Sequence, residues 1–228
     1  MSKQSKRLKN AYKELEPGKI YPVDQAVELV KKLAPTKFDG SVEVHIRLGI
    51  DPKKSDQSVR GTVVLPHGTG KTRRVIAFVP AAKEKEAKDA GADIIGDENT
   101  INEIKTTQKI NFDIAVATPD MMRKLAPVAK ILGQKGLMPN PKTETVTPNF
   151  VQTIKDLKSG GKISFKADDT ANLHQIIGKV SFDADKLKAN FVTFIEAVKK
   201  LKPDSMKGTY MKNIILTASM GPAIKVEG

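Results

Sequence analysis

The hydrophobic rhythm of this chain changes twice along its length, and those changes restrict its architecture more than any other feature. Val42, Val44, Ile46, Leu48 and Ile50 alternate with Glu43, His45, Arg47 and Gly49. A period of two puts the apolar set on one side, so the spacing predicts a strand with one buried face. Residues 59–65, rich in β-branched side chains, predict a second strand after the polar loop 51–56. From about residue 71 the pattern becomes short apolar runs, each followed by a helix-forming stretch: 75–79 before a helix stopping at Gly91, 92–95 before 98–105, and 112–117 before 120–132. A short helix over 148–157 follows. Short strands separated by helices predict a small parallel sheet covered on both faces.

Beyond residue 160 the rhythm returns to that of the start. Residues 162–166 predict a strand, and Leu187, Phe191, Phe194, Ile195, Val198 and Leu201 mark one face of a long helix. In a last strand, Tyr210, Lys212, Ile214, Leu216, Ala218 and Met220 oppose Met211, Asn213, Ile215, Thr217 and Ser219. Near the start, Val23, Ala26, Val27, Val30 and Leu33 predict a helix that stops at Ala34-Pro35. The expected fold is therefore α/β with two domains. One is discontinuous, residues 1–67 with 160–228, and the other, 68–159, is inserted between glycine-bearing junctions that serve as paired hinges.

Charge points to the partner. The chain carries 39 Lys plus Arg against 26 Asp plus Glu, a formal +13. The discontinuous domain holds +9 of it and the insert +4, which places the primary polyanion surface on the former. Lys3, Lys6, Arg7, Lys9 and Lys13 form a basic arm before the first acid, Glu14. Tryptophan is absent and only eleven residues are Phe or Tyr, which favours phosphate contacts with a few placed side chains over a broad base-stacking platform. The absence of cysteine excludes disulfides, thiolate nucleophiles and cysteine-ligated zinc. No run approaches the ~20 apolar residues of a membrane span and the first fifteen residues lack a secretory pattern, so a soluble, cytoplasmic protein is expected.

Gly68-Thr69-Gly70-Lys71-Thr72 imitates a phosphate loop, but the required glycine five residues before Gly70 is Leu65, followed by Pro66. The glycines read better as a bend. The three histidines form no sequence-local metal cluster. His45 falls on the polar side of its strand, either as an exposed or hydrogen-bonded residue or as an RNA contact. His174 is placed in a loop over 168–177, where adjacent Asp168 and Asp169 face opposite ways and cannot act as a carboxylate pair. Met121, Met122, Met211 and Met220 read as core filling. The stiff loop 136–141, with Arg123, Lys124, Lys130, Lys135 and Lys142 around it, reads as a second nucleic-acid contact.

Several of these segments resemble the bacterial large-subunit ribosomal protein one family, the mobile stalk proteins. The marks are Thr36-Lys37-Phe38-Asp39, VEVHIRLGIDPKKSDQ at 42–57, VRGTVVLPHGTGK at 59–71, GADIIG at 91–96, ATPDMM at 117–122, GQKGLMPNPK at 133–142, IIGKVSF at 176–182, KGTYMK at 207–212 and SMGPAIKV at 219–226. The resemblance runs over nearly the whole chain. It implies a split α/β domain that grasps large-subunit ribosomal RNA and an inserted Rossmann-like three-layer domain without nucleotide binding. It also implies movement with exit-site transfer RNA, repression of the protein's own operon messenger, and a monomer off the ribosome. No cofactor, metal or catalytic residue is expected, and no membrane.

Carried residue by residue, the family's RNA contacts fall at Lys37 and Phe38, at Lys166, Asp168 and His174 within 166–174, at Lys179, at Met206, Lys207, Gly208 and Tyr210, and at Thr217, Ser219, Met220, Gly221 and Pro222. The lysines suit phosphates and the hydroxyls suit phosphate or ribose. The chain departs from the family pattern at Asp169, where a basic residue commonly follows the first aspartate, and at Ala167. The alternative reading is a stand-alone RNA-binding translational regulator.

Overall fold

A computed structural model of the protein describes residues 6–16 and 18–227; Lys3 of the basic arm lies outside them. The chain is a mixed α/β protein that divides into two compact units, Met1–Gly70 with Ser164–Gly228, and Lys71–Ile163. These borders lie three or four residues from those expected at 67/68 and 159/160. His67 and Gly68 stay with the first unit because Asn190, fully buried within a helix of that unit, binds both: its side-chain oxygen accepts from the His67 N–H at 3.1 Å and its amide donates to the Gly68 carbonyl at 2.8 Å.

The first unit begins with α1 (Lys6–Lys13), so much of the expected arm is helical. It continues with α2 (Val23–Lys32), β1 (Ser41–Leu48) and β2 (Arg60–Val64). Asp24 in the first turn of α2 and Lys31 and Lys32 in its last turn oppose the helix dipole favourably, and α2 ends at Lys32 with Leu33 as its cap, just before the Ala34-Pro35 stop that the sequence predicts. After the second unit the chain returns through β6 (Lys162–Lys166), β7 (Asn172–Lys179), α7 (Ala184–Lys200), β8 (Met211–Ala218) and β9 (Ile224–Lys225). Four strands form an antiparallel sheet in the order β7-β1-β8-β9, and β2 pairs with β6. One sheet face carries Val42, Val44, Ile46, Leu48, Leu173, Ile177, Ile214 and Leu216, all buried. The buried faces of α2 (Ala26, Val27, Val30) and α7 (Leu187, Phe191, Phe194, Val198) complete this core.

Two expectations fail here. The segment 168–177 is a loop only through residue 171: β7 occupies residues 172–179 and pairs with β1 along its length. Its periodicity is hidden because the register shifts between Val42 and Glu43, so the buried positions do not alternate evenly. The last strand ends at Ala218 and not at Met220, whose φ of 60° turns the chain.

The second unit contains β3 (Val75–Phe78), α3 (Glu84–Asp89), β4 (Ile94–Ile95), α4 (Glu98–Thr107), β5 (Ile114–Ala117), α5 (Ala129–Gln134) and α6 (Phe150–Lys158). β3 lies between β4 and β5 and is parallel to both. Ile76 and Phe78 face a core shared with Ile101 and Ile104 of α4 and Leu132 of α5. Val75 and Ala77 face the opposite core with Ala87 of α3 and Phe150, Ile154 and Leu157 of α6. The helix predicted over 120–132 is broken into 3-10 turns at Pro119–Met122 and Ala126–Val128 before α5. Pro127, lacking an N–H, forbids a continuous helix there.

Candidate nucleic-acid interface

The second face of the antiparallel sheet is polar. Pairing puts Glu43 between Ile176 of β7 and Thr217 of β8, His45 between His174 and Ile215, and Arg47 between Asn172 and Asn213. Residues directly opposite in a ladder project to the same side, so these three rows share one surface. A groove of about 510 Å³ runs along it, with Tyr12 of α1 contributing to its wall. The candidate RNA residues gather at the two ends of this face, roughly 20 Å apart at about 3.4 Å per residue along β1.

At the Ser41 end, the loop before β1 is fixed from several directions. The Asp39 carboxylate accepts from the Ser181 N–H at 3.0 Å and hydroxyl at 2.9 Å. Lys179 donates to the Asp39 carbonyl at 3.3 Å and lies 3.4 Å from the Ser41 hydroxyl. Ser219 joins β8 to this loop, its N–H donating to the Ser41 carbonyl at 2.9 Å and its hydroxyl accepting from the Ser41 N–H at 3.0 Å. Lys179 and Ser219 thus position the loop, whereas Lys37 is exposed and among the described residues has no ion-pair partner. Phe38 is 62% exposed and Met220 69%, so Met220 does not fill the core as expected. Thr217 donates its hydroxyl proton to the Ala218 carbonyl at 3.1 Å, which leaves only oxygen lone pairs for a ligand. The Gly221 N–H closes the turn onto the same carbonyl at 2.8 Å, and Pro222 is buried.

At the Leu48 end, the loop between β6 and β7 is ordered by Asp168. Its carboxylate accepts from the Asn172 N–H at 2.7 Å, the Thr170 N–H at 2.9 Å and the Thr170 hydroxyl at 2.8 Å. The Asn172 N–H first, then Thr170 and the nearby His174, hold the Asp168 carboxyl down at about 2. Its role in the structure is to shape the loop. The Leu48 N–H reaches Ala171 at 2.9 Å, and the Gly49 N–H reaches the Tyr210 carbonyl at 2.7 Å. A Cβ at Gly49 would lie 2.2 Å from the Thr209 carbonyl oxygen, so only glycine admits this close strand exit. Met206 and Tyr210 are buried. Burial pushes the Tyr210 phenol up to about 12, and its hydroxyl has no hydrogen-bond partner among the described residues. Lys166, Lys207 and Gly208 are exposed, Gly208 at φ 91°, and neither lysine has an ion-pair partner among the described residues.

The sequence reading did not single out Arg47, Asn172 or Asn213, which the ladder places on the same face. Alternation in β1 and β8 carries that signal for Arg47 and Asn213; for Asn172 it required knowing that β7 is a strand. In the second unit, Arg123, Lys124, Lys130 and Lys135 are exposed, with Lys124 held by Glu98 at 2.7 Å. Gly68-Thr69-Gly70 is followed by the strand β3 and not by the helix that a phosphate loop requires. Among the described residues no group of His, Asp and Glu could hold a metal ion. Among them, too, no helix is long and apolar enough to cross a membrane.

The first unit is an α/β fold whose antiparallel sheet has one face on helices and the other polar, with lysines at both ends that have no ion-pair partner among the described residues. The chain belongs to the Ribosomal protein L1p/L10e family, whose model matches residues 30–222. It is 53% identical over 227 residues to the large ribosomal subunit protein uL1 of Mycoplasma capricolum subsp. capricolum, covering 100% of both chains. It is 52% identical to the protein of that name from Mycoplasma mycoides subsp. mycoides, again over 100% of each, and 49% identical to that of Mesoplasma florum, over 100% of this chain and 99% of the relative.

Proposed function

We propose that this protein is a structural constituent of the large ribosomal subunit that binds ribosomal RNA through the polar sheet face of its first unit. The family is one of ribosomal proteins, and the relatives are large-subunit proteins, which places the chain on the cytoplasmic ribosome. The observation that carries the site is the pair of exposed lysines Lys37 and Lys207, at opposite ends of one polar face and without ion-pair partners among the described residues. Such charges supply affinity and register, while the groups between them meet sugars and bases. In this reading residues 1–67 with 160–228 are the RNA-binding domain and 68–159 an inserted Rossmann-like domain. The protein also contacts exit-site transfer RNA and, as a monomer off the ribosome, binds its own operon messenger and represses its translation.

The test is filter binding of the full chain to large-subunit ribosomal RNA and to an unrelated RNA of equal length across a salt series. Lys37→Ala and Lys207→Ala should each weaken ribosomal RNA binding and reduce the salt slope by roughly 0.7 to 0.9. Unchanged affinity and slope in both variants would remove this face from the reading.

A further inference from the structure

At the centre of the polar face, His45 of β1 and His174 of β7 meet ring to ring, with their Nδ1 atoms 2.7 Å apart. Each Nε2 lies 3.7 Å from a carboxylate oxygen, His45 from Glu43 and His174 from Asp168. The tautomers follow from counting protons. A 2.7 Å contact between two ring nitrogens holds only if one is N–H and the other bare. In the neutral pair, the ring that donates through Nδ1 must turn a bare Nε2 toward its carboxylate, which is repulsive. Adding one proton removes that conflict: one N–H lies in the shared bond, and both Nε2–H groups face carboxylates. A second proton would put N–H against N–H and break the contact.

We infer that His45 and His174 form a single-proton site within the RNA-binding face, loaded when a phosphodiester backbone binds. This rests on the function proposed above and deepens it. At 3.7 Å the Nε2–H groups are beyond hydrogen-bonding distance of Glu43 and Asp168, so they stay available to phosphate oxygens or 2′-hydroxyls. The neighbouring charges are Glu43 and Arg47 on β1 and Asp168 from the β6–β7 loop; β8 presents uncharged Asn213 and Ile215, and α1 presents Tyr12. In the free protein, burial and then His174 keep His45 below the ordinary histidine range, with Glu43 opposing them. An arriving polyanion reverses that balance because its negative potential favours the imidazolium.

The sign follows from linkage. A pKa raised in the complex gives extra affinity that is fully present below the free-protein value and is lost as pH rises through the bound value. Large-subunit ribosomal RNA binding by the full chain, measured from about pH 5 to 8, should weaken with rising pH by at most about tenfold per unit, the limit for one proton. His45→Gln and His174→Gln should flatten this dependence, and His67→Gln should preserve it. In the free protein, nitrogen-correlated histidine spectra should show one ring of the pair protonated at Nδ1 and the other bare there, with one proton taken up on acidification. Both rings bare at Nδ1, or both becoming imidazolium together, would overturn the inference. So would RNA binding that is independent of pH, or a dependence steeper than one proton. Absence of ribosomal RNA binding at every pH would instead sink the proposed function, and the spectra would still decide the proton site.

Discussion

Replacing Asn190 by leucine should cost the first unit about 3 kcal/mol. Asn190 is fully buried in α7 and makes three hydrogen bonds: it donates to the Ile177 carbonyl of β7 at 2.7 Å and the Gly68 carbonyl at 2.8 Å, and accepts from the His67 N–H at 3.1 Å. Leucine is close in size, so the main loss is polar. Leaving a buried group without its partner costs about 1–3 kcal/mol. Gly68 is buried and bears that penalty in full, and Ile177 bears part of it. His67 is exposed, and its N–H can turn to water. One penalty at the middle of that range plus about half of a second gives the estimate of about 3 kcal/mol. The assay is urea unfolding followed by tyrosine emission, because all three tyrosines, Tyr12, Tyr21 and Tyr210, lie in the first unit and tryptophan is absent. The signal therefore reports this unit alone. A loss below about 1 kcal/mol would mean that the three bonds exchange freely with water and that Asn190 does not anchor the 67–68 segment.

Two further outcomes test how the ends of the sheet are built. Because the Asp168 carboxyl is held at about 2, against an ordinary 3.8, it contributes stability that is present above about pH 4 and is lost as pH falls toward 2. Asp168→Asn should flatten that acid limb of the tyrosine-monitored unfolding curve, and an unaltered limb would refute the loop-ordering role. Gly49→Ala, whose Cβ would meet the Thr209 carbonyl oxygen at 2.2 Å, should destabilise the unit by about 1–3 kcal/mol. An alanine variant within about 0.5 kcal/mol of the parent would show that the strand exit relaxes at little cost.

Wherever one local period persisted, the amino-acid order sufficed. β1 was legible because Val42, Val44, Ile46 and Leu48 alternate without a break, and α7 because its apolar face recurs from Leu187 to Val198, about three turns. The parallel β3, β4 and β5 were legible as short apolar runs between helices. α1 was missed although Leu8, Ala11 and Tyr12 recur at helical spacing, because Lys6, Arg7, Lys9 and Lys13 dominate the short segment and read as a basic arm. β7 was missed because a register shift in its pairing scatters its buried positions.

Within the site, the lysines and hydroxyls could be named from the family resemblance, but their separate tasks could not. Lys37 and Lys179 are the same residue type in the same region. Only the fold shows that Lys179 is tied to the Asp39 carbonyl while Lys37 stands free of ion pairs among the described residues. His45 and His174 are 129 residues apart in the chain, and strand pairing alone makes them neighbours at 2.7 Å. The sequence by itself determined the mixed α/β class, the excess of positive charge and the buried faces of β1, α2 and α7, since these follow from composition and from spacing within a few residues. The tertiary structure decided which polar groups remain available to a partner. That depends on contacts between strands distant in sequence, and no local pattern encodes which carbonyl or carboxylate will lie within reach of a given side chain.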